Sequence, residues 1–458
     1  VAGATSGAHG PVTFMDGVYP EPVHLRTTAG PIAPAEEATM IHRTGILLMT
    51  AAALATEAGE RSAVRESARR LPVIARADVV VVGGSTAAVT AAAVAAEHGA
   101  RVFLAAPRPY LGEDLCDTLR LSRPTTESAA RRRLVARLYG TRNRTTPLRI
   151  KKVLDDVLRE TGVSFVYGSY ATEILRDEDG ATAGIVIANR AGRQAVIAPV
   201  IIDAGDRAHV AVLAGAERLP RPGGTLAFER TVITGKNRKS PNSESRSLSI
   251  AMPDTSFRSY AAAEQRARDR TVVPGQLRAS ASLFHVPPDP LVCGAGAPER
   301  QDAVDPAPDR FRPRGVDRLY VLSGCAAAPD EIRRRRLEPC GLLPAAEAVG
   351  KAAARDALAC PSLREPRLSA KPATGVADDL DTREPLRGLR PASTAEETVP
   401  APETALTVLA RVDVLVVGGG TAGAPAAIAA ARRGVKTLVI EPQEGLGGTS
   451  TLGLIGRA

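Results

Sequence analysis

The sequence predicts an α/β protein: a three-layer domain with an inserted β-hairpin region, followed by a partial second β-α-β unit. Three observations predict this class. A succession of β-branched residues, glycines and alanines occurs twice, and it is typical of a buried parallel strand, a tight turn and a helix. Short strand-like runs lie between the two copies. Aromatic residues make up only 3% of the chain, so the core must be built from small aliphatic side chains.

The repeat is the strongest of these observations. Residues 76–106 align with residues 411–441 without a gap, 335 positions apart, and about half of the aligned residues are identical. Each copy begins with a valine-rich run, Val79–Val82 or Val414–Val417, and continues through glycines into an alanine-rich stretch and a second apolar run. Each is therefore predicted to be a β-α-β unit, in which a glycine ends the helix.

The segment between the copies is predicted to form the remainder of the first domain. Its periodicity predicts helices at 148–160 and 342–358 and strands at 164–167, 171–175, 184–188, 194–198, 199–204 and 319–322. Residues 223–314 are rich in Ser, Pro and Arg, so we expect loops there, with one helix at 260–270.

The second copy carries a complete G-x-G-x-x-G motif. Gly418 permits the tight turn, Gly420 lets a diphosphate approach the backbone, and Gly423 allows close contact between helix and strand. Glu441 ends the second strand, where a carboxylate accepts the hydroxyls of an adenosine ribose. These residues predict a dinucleotide site of the Rossmann type.

The first copy lacks most of these motif residues. Gly83 and Gly84 are kept as candidate cofactor contacts, but Ser85 replaces the second glycine of the motif, Ala88 the third, and Ala106 the ribose acid. Alanine at the third position is tolerated in such motifs. Two interpretations stay open: a degenerate cofactor site, or a Rossmann domain that is only structural.

These motifs resemble FAD-dependent oxidoreductases, specifically the bacterial glutathione-reductase-like flavoproteins with two FAD-type domains in tandem. The similar segments are 76–106, 108–121, 146–158, 162–208, 318–329 and 409–458. The resemblance implies an FAD/NAD(P)-binding Rossmann-like fold and FAD as cofactor. It also implies that further residues lie near the cofactor, namely Gly205, Asp206, Gly324, Gly447 and Gly448.

The sequence divides the chain into six regions. A disordered leader (1–39) precedes residues 40–55, which read either as a secretory signal peptide starting at Met40 or as a buried helix. A linker (56–75) leads to a degenerate FAD-binding domain (76–360). A proline-rich linker (361–408) then leads to the start of a second FAD-binding domain (409–458). We interpret the last region as part of a truncated longer product or as a unit that docks on the first domain.

Several function classes are disfavoured. The net charge of +9 comes from scattered arginines without interleaved aromatic residues, which argues against nucleic-acid binding. No apolar run is long enough for a transmembrane helix. The five cysteines form no close pair, so neither a disulfide framework nor a metal site is expected. His98, His209 and His285 are more typical of surface or packing positions than of catalysis.

The sequence thus predicts an FAD-dependent oxidoreductase that transfers a hydride or electrons from a small-molecule substrate to flavin. The alternative is a non-catalytic, flavoprotein-like structural domain that packs against a complete FAD domain outside this chain. No catalytic residue is assigned, because the flavin itself carries the electrons in such enzymes. Localisation is left open between the cytoplasm and export.

Overall fold

The structure is a computed structural model that describes residues 63–124, 129–219, 223–235, 242–254, 256–294, 307–360, 363–368, 377–382, 397–443, 445–451 and 453. The predicted leader (1–39) and signal peptide (40–55) lie outside these residues. The α/β class predicted from the sequence is confirmed by the elements that follow.

The described elements comprise both strands and helices. The strands are β1 (Ala63–Glu66), β2 (Arg69–Arg76), β3 (Val79–Val82), β4 (Val102–Ala105), β5 (Ser164–Val166), β6 (Tyr170–Arg176), β7 (Thr182–Asn189), β8 (Gly192–Ile197), β9 (Val200–Asp203), β10 (Gly224–Thr234), β11 (Asn242–Met252), β12 (Gln276–Ala279), β13 (Leu319–Val321), β14 (Arg367–Leu368), β15 (Ala377–Thr382), β16 (Thr398–Ala401), β17 (Thr404–Thr407), β18 (Val414–Val417) and β19 (Thr437–Ile440). The α-helices are α1 (Thr86–Glu97), α2 (Glu113–Cys116), α3 (Ala129–Tyr139), α4 (Pro147–Glu160), α5 (His209–Leu213), α6 (Phe257–Arg270), α7 (Asp330–Arg336), α8 (Leu343–Leu358) and α9 (Gly423–Arg432). Short 3-10 turns lie at Pro308–Phe311 and Gly448–Ser450.

A five-stranded parallel sheet, in the order β13-β9-β3-β4-β5, forms the centre of the first domain. All four valines of β3 are buried, as the unbroken apolar run predicts for a strand covered on both faces. Helices α1 and α8 pack together beside it. At Gly350 a Cβ atom would lie 2.6 Å from the carbonyl oxygen of Ala91, so glycine is needed for this close approach.

A six-stranded sheet, in the order β14-β6-β7-β8-β2-β16, provides the second β layer. Alternate residues of β7 face different cores: Ile185 and Ile187 join the core of the parallel sheet and α1, whereas Val186, between them, joins a smaller cluster around Leu71. This alternation follows from the two-residue period of a strand. Helices, parallel sheet and mixed sheet together make the three layers that the sequence predicts.

Two segments expected to be linkers contain strands of this sheet, which corrects the sequence prediction. Residues 69–75 of the expected linker 56–75 belong to β2, and residues 398–401 of the expected linker 361–408 form β16. The two strands pair antiparallel, with Leu71 opposite Val399. Both side chains are buried, and the burial of these few apolar residues outweighs the surrounding prolines and charges.

The region 223–314 also differs from the expectation of loops plus one helix. Strands β10 and β11 form a long antiparallel hairpin that pairs Gly224 with Met252 at its open end, and β12 adds to its edge. Helix α6 is present as predicted. Its buried residues Tyr260, Ala263 and Ala267 share a cluster with Phe228 on the hairpin.

The second β-α-β unit is smaller. Strands β18 and β19 form a two-stranded parallel sheet with Val414 opposite Thr437, and α9 connects them. The side chain of Leu415 is 52% exposed and that of Val417 is 79% exposed. Among the helices of the described ranges, none has the length and apolar character required to cross a membrane.

Candidate functional site

The turn after β18 has the glycine geometry that the motif predicts. Gly418 has a φ of +97°, which favours glycine, and its N–H donates to the Ile440 carbonyl at 2.8 Å. At Gly423 a Cβ atom would lie 1.8 Å from the Gly418 carbonyl oxygen, so glycine is required there too. At Gly420, by contrast, a Cβ atom would meet nothing within 4 Å. Gly420 therefore borders open space.

The backbone donors beside this open space are unused. Within residues 413–443 and 445–451, as the structure describes them, the N–H groups of Gly420, Thr421 and Ala422 make no hydrogen bond. They precede the first turn of α9, where the helix dipole adds partial positive charge. The arrangement is suited to binding an anion.

Glu441 and the glycines that follow it complete this site. Glu441 Oε2 accepts from the Gly419 N–H at 2.5 Å, and Oε1 accepts from the Gln443 N–H at 2.8 Å. The Gly447 N–H donates to the Gly419 carbonyl at 2.9 Å. At Gly448 a Cβ atom would lie 3.0 Å from the Cα atom of Gly420. The structure thus brings all six predicted residues of this unit together: Gly418, Gly420, Gly423, Glu441, Gly447 and Gly448.

The turn of the first unit has the same course but different contacts. Gly83 has a φ of +128°, and a Cβ atom there would lie 2.7 Å from the Ala204 carbonyl oxygen. The Gly84 N–H donates to Glu113 Oε1 at 3.0 Å. Ser85, the residue in place of the second glycine, caps α1, because its Oγ accepts from the Ala88 N–H at 3.1 Å.

A second carboxyl group also binds this turn. Thr86 donates to Asp114 from both its main-chain N–H, at 2.9 Å, and its hydroxyl, at 2.5 Å. Glu113 and Asp114 begin helix α2 directly after Gly112, whose φ is +83°. Asp114 therefore occupies the Thr86 N–H, whose counterpart at Thr421 is unused in the second unit.

Burial shifts the titration of both acids. Desolvation by the surrounding protein raises the pKa of Glu113 to about 8, and nearby Asp206, Asp117 and Asp114 add to the rise, whereas the Gly84 N–H opposes it. Desolvation also raises the pKa of Asp114, and its bonds from Thr86 oppose this effect. A carboxyl group taken out of water favours its neutral form.

The other predicted residues of the first unit lie at the carboxyl ends of β9 and β13. The Gly205 N–H donates to the buried carboxylate of Asp203 at 3.0 Å. The Asp206 carbonyl accepts from the Cys325 thiol at 3.4 Å, which brings it beside Gly324. The Gly324 carbonyl accepts from the Arg333 guanidinium at 2.8 Å. The predicted residues of the first unit thus form one group at the carboxyl ends of the parallel strands, namely Gly83, Gly84, Gly205, Asp206 and Gly324.

The histidines have packing partners. His98 Nδ1 lies 2.8 Å from the Val94 carbonyl oxygen, and His209 Nε2 lies 2.9 Å from that of Ala171. His285 Nε2 lies 3.0 Å from the Tyr260 hydroxyl, and burial lowers the pKa of His285. Within the described residues, no two cysteines form a disulfide and no three His, Cys, Asp or Glu side chains converge in a way that could hold a metal ion.

Sequence reasoning missed Glu113 and Asp114. The signal was available, because the repeat continues beyond Ala106 and Glu441 with the same spacing. The repeat aligns Glu113 with Gly448 and Asp114 with Thr449, 335 positions later in each case.

Several solved structures are similar over part of the chain. One is p-nitrophenol 4-monooxygenase from Pseudomonas putida, with 13% identity over 63% of this chain and 82% of that one and a TM-score of 0.39. A geranylgeranyl bacteriochlorophyll reductase-like protein from Thermoplasma acidophilum has 14% identity over 62% and 78%, with a TM-score of 0.38. Aklavinone-11 hydroxylase has 14% identity over 62% and 61%, with a TM-score of 0.32.

No curated protein matches the sequence. The family model described as FAD dependent oxidoreductase matches residues 78–221 and 413–457, which contain the two β-α-β units and their turns. Over these two segments, which make up less than half of the chain, the protein is similar to FAD-dependent oxidoreductases, and FAD is the cofactor that this similarity indicates.

Proposed function

We propose that this FAD-dependent oxidoreductase holds the ADP half of FAD at the turn of its second β-α-β unit and oxidises a small-molecule substrate. The observation that carries the proposal is the unused backbone N–H groups of Gly420, Thr421 and Ala422 beside the open space at Gly420. When bound, FAD supplies the hydride-accepting isoalloxazine ring. This chain's residues bind and orient its nucleotide end.

The second unit fits an ADP group in both shape and charge. A diphosphate accepts hydrogen bonds from main-chain donors at a helix N-terminus and gains from the helix dipole. Gly420 has no side chain to obstruct its approach. The Glu441 carboxylate is held by the Gly419 N–H, and it retains lone pairs that accept ribose hydroxyls.

The first unit does not fit the same group. Its Thr86 N–H is bound to the Asp114 carboxyl group, whereas the equivalent Thr421 N–H is unused, and Ala106 leaves no acceptor for a ribose. These observations favour the second candidate function, a flavoprotein-like structural domain, for residues 76–360 alone. Under this proposal, the first domain supports the chain and the second unit binds the cofactor. Assignment to the glutathione-reductase-like, tandem-domain subgroup stays a prediction.

The substitution Gly420→Ala tests the cofactor site. A methyl group at position 420 would point into open space in the free protein, so we expect the melting temperature to change little. The same methyl group would conflict with a diphosphate. A conflict of about 1–3 kcal/mol corresponds to roughly 5- to 150-fold weaker FAD binding.

FAD affinity is measured by titration of the full chain, followed through the quenching of flavin fluorescence. Gly224→Ala is the matched control, because a Cβ atom at Gly224 also meets nothing within 4 Å and this glycine lies at the start of β10. Equal FAD affinities of the two variants would contradict the proposal. Absence of any flavin binding by the unmodified chain, after refolding with excess FAD, would reject it.

A further inference from the structure

The two units remain structurally equivalent beyond the repeat that defines them. Gly112 and Gly447 are 335 positions apart, and both start a helical turn in the left-handed conformation, with φ of +83° and +97°. The Gly112 N–H donates to the Gly84 carbonyl at 2.7 Å, and the Gly447 N–H donates to the Gly419 carbonyl at 2.9 Å. The residues that follow these glycines can therefore be compared position by position.

In both units a carboxyl group accepts from the same main-chain N–H, but different positions of the chain supply it. In the second unit, the Gly419 N–H donates to Glu441 at the end of β19. In the first unit, the equivalent Gly84 N–H donates to Glu113 at the start of α2. Ala106 stands where Glu441 would be, and Glu113 stands where Gly448 would be. The loss of one acid and the gain of the other maintain a carboxyl contact to the same N–H group.

The gained acids also fill the space where the second unit is open. Gly448 presents only backbone toward Gly420. At the equivalent positions of the first unit, the Glu113 side chain reaches Gly84 and the Asp114 carboxylate takes both donors of Thr86. The Ala88 N–H is taken by Ser85. A diphosphate at this turn would meet the Asp114 carboxyl group at the Thr86 N–H and the Ser85 hydroxyl at the Ala88 N–H.

We propose that the carboxyl groups of Glu113 and Asp114 occupy the first unit's phosphate site in place of a cofactor. They keep the unit folded without a dinucleotide. The inference concerns the first unit alone and does not depend on cofactor binding by the second. The first domain then has a nucleotide-independent structural role, and of the two described β-α-β units only the second holds a dinucleotide.

The main test reopens the site by exchanging four residues for those of the second unit: Ser85→Gly, Ala106→Glu, Glu113→Gly and Asp114→Thr. These changes are made in a full chain that also carries Gly420→Ala and Glu441→Ala, so that the second site is impaired. The probe is labelled ADP in equilibrium dialysis. We expect the exchanged chain to bind ADP at least about tenfold more tightly than the background chain.

ADP affinity equal to that of the background, in an exchanged chain with native circular dichroism and a cooperative melt, would overturn the inference. A misfolded exchanged chain is covered by a second measurement on the unmodified protein. Hydrogen exchange with and without FAD reports separately on the segments around Gly84 to Thr86 and Gly420 to Ala422.

We expect the first-unit amides to be protected already in the free protein and unchanged by FAD. Slowing of their exchange by FAD would overturn the inference about Glu113 and Asp114. Failure of FAD to protect residues 420–422 would instead contradict the proposed function, so the two failures are distinguishable.

Discussion

In the first β-α-β unit, strand β3 has a parallel neighbour on each side and all four of its residues are buried. In the second unit, the equivalent strand β18 pairs with β19 alone, and Val417 is 79% exposed. The better packed unit has the closed phosphate site, and the less packed unit has the open one. Burial of the strand and accessibility of the turn are therefore separate properties in this chain.

The shared features of the two units depend on the main chain. The N–H of the first glycine in each turn donates to the end of the second strand, from Gly83 to Ala105 at 2.9 Å and from Gly418 to Ile440 at 2.8 Å. Such contacts require only the strand-turn-helix course. Binding chemistry depends on a few residues around the turn, and the two units differ at five of them, namely positions 85, 88, 106, 113 and 114 of the first unit. The same local frame can thus serve a cofactor or replace it.

The largest effect we predict is a pH dependence of stability caused by Glu113. Its pKa rises from an ordinary 4.5 to about 8 in the folded protein. Between these values the unfolded chain releases the proton and the folded chain keeps it, so the free energy of unfolding falls as the pH rises. Over this window the loss is on the order of a few kcal/mol.

Urea denaturation from pH 5 to pH 8 measures this loss in the full chain. Glu113→Gln keeps an acceptor for the Gly84 N–H and should flatten the dependence. The pKa of Asp114 is also raised, so this residue should leave a residual dependence of stability on pH. The carboxylates of Asp117 and Asp206 also face the Glu113 carboxyl group. Glu178→Gln, at an exposed turn, is the control. An identical slope in both variants would show that the Glu113 carboxyl does not control this pH dependence.

A smaller effect should distinguish the cores of the two units. Val80 and Leu415 are equivalent residues of β3 and β18, and they are 0% and 52% exposed. Val80→Ala should lower the free energy of unfolding by about 2 kcal/mol, because it removes fully buried methyl groups and leaves a cavity. Leu415→Ala should cost less than about 1 kcal/mol.

Thermal and urea denaturation of the two variants checks this difference. A cost for Leu415→Ala as large as that for Val80→Ala would mean that β18 is covered in solution. The contrast between the two units would then lie in the turn residues alone.

Much of the fold could be predicted from the sequence, because the repeat and the 3.6-residue period of α4 are local signals. The pairing of Leu71 with Val399 could not, since it joins distant segments that are each short and charged. The long hairpin β10-β11 was missed because its alternation is weak among Ser, Pro and Arg residues. The glycine turns were predictable from the motif. The contact of Glu113 with Gly84 required the structure, because only the backbone course shows that the start of α2 returns to the turn.

The smallest effect we predict concerns a feature that the units share. Asp78 precedes β3 and accepts from the Arg101 N–H at 2.7 Å, and Asp413 likewise accepts from the Lys436 N–H at 2.8 Å. Arg101 also forms an ion pair with Asp78 at 2.8 Å, but its side chain is 71% exposed. Arg101→Ala should therefore lower the free energy of unfolding by less than about 1 kcal/mol, since exposed pairs contribute little.

Asp78→Ala is the informative partner of this variant. It removes the acceptor of a main-chain N–H as well as the ion pair, so we expect it to cost more than Arg101→Ala in the same urea titration. Equal costs would mean that the side-chain pair, rather than the main-chain bond, holds the two strands at this point. Lys436→Ala, measured in the same titration, then tests whether the second unit has an equivalent side-chain pair. No effect of this substitution would mean that it has none.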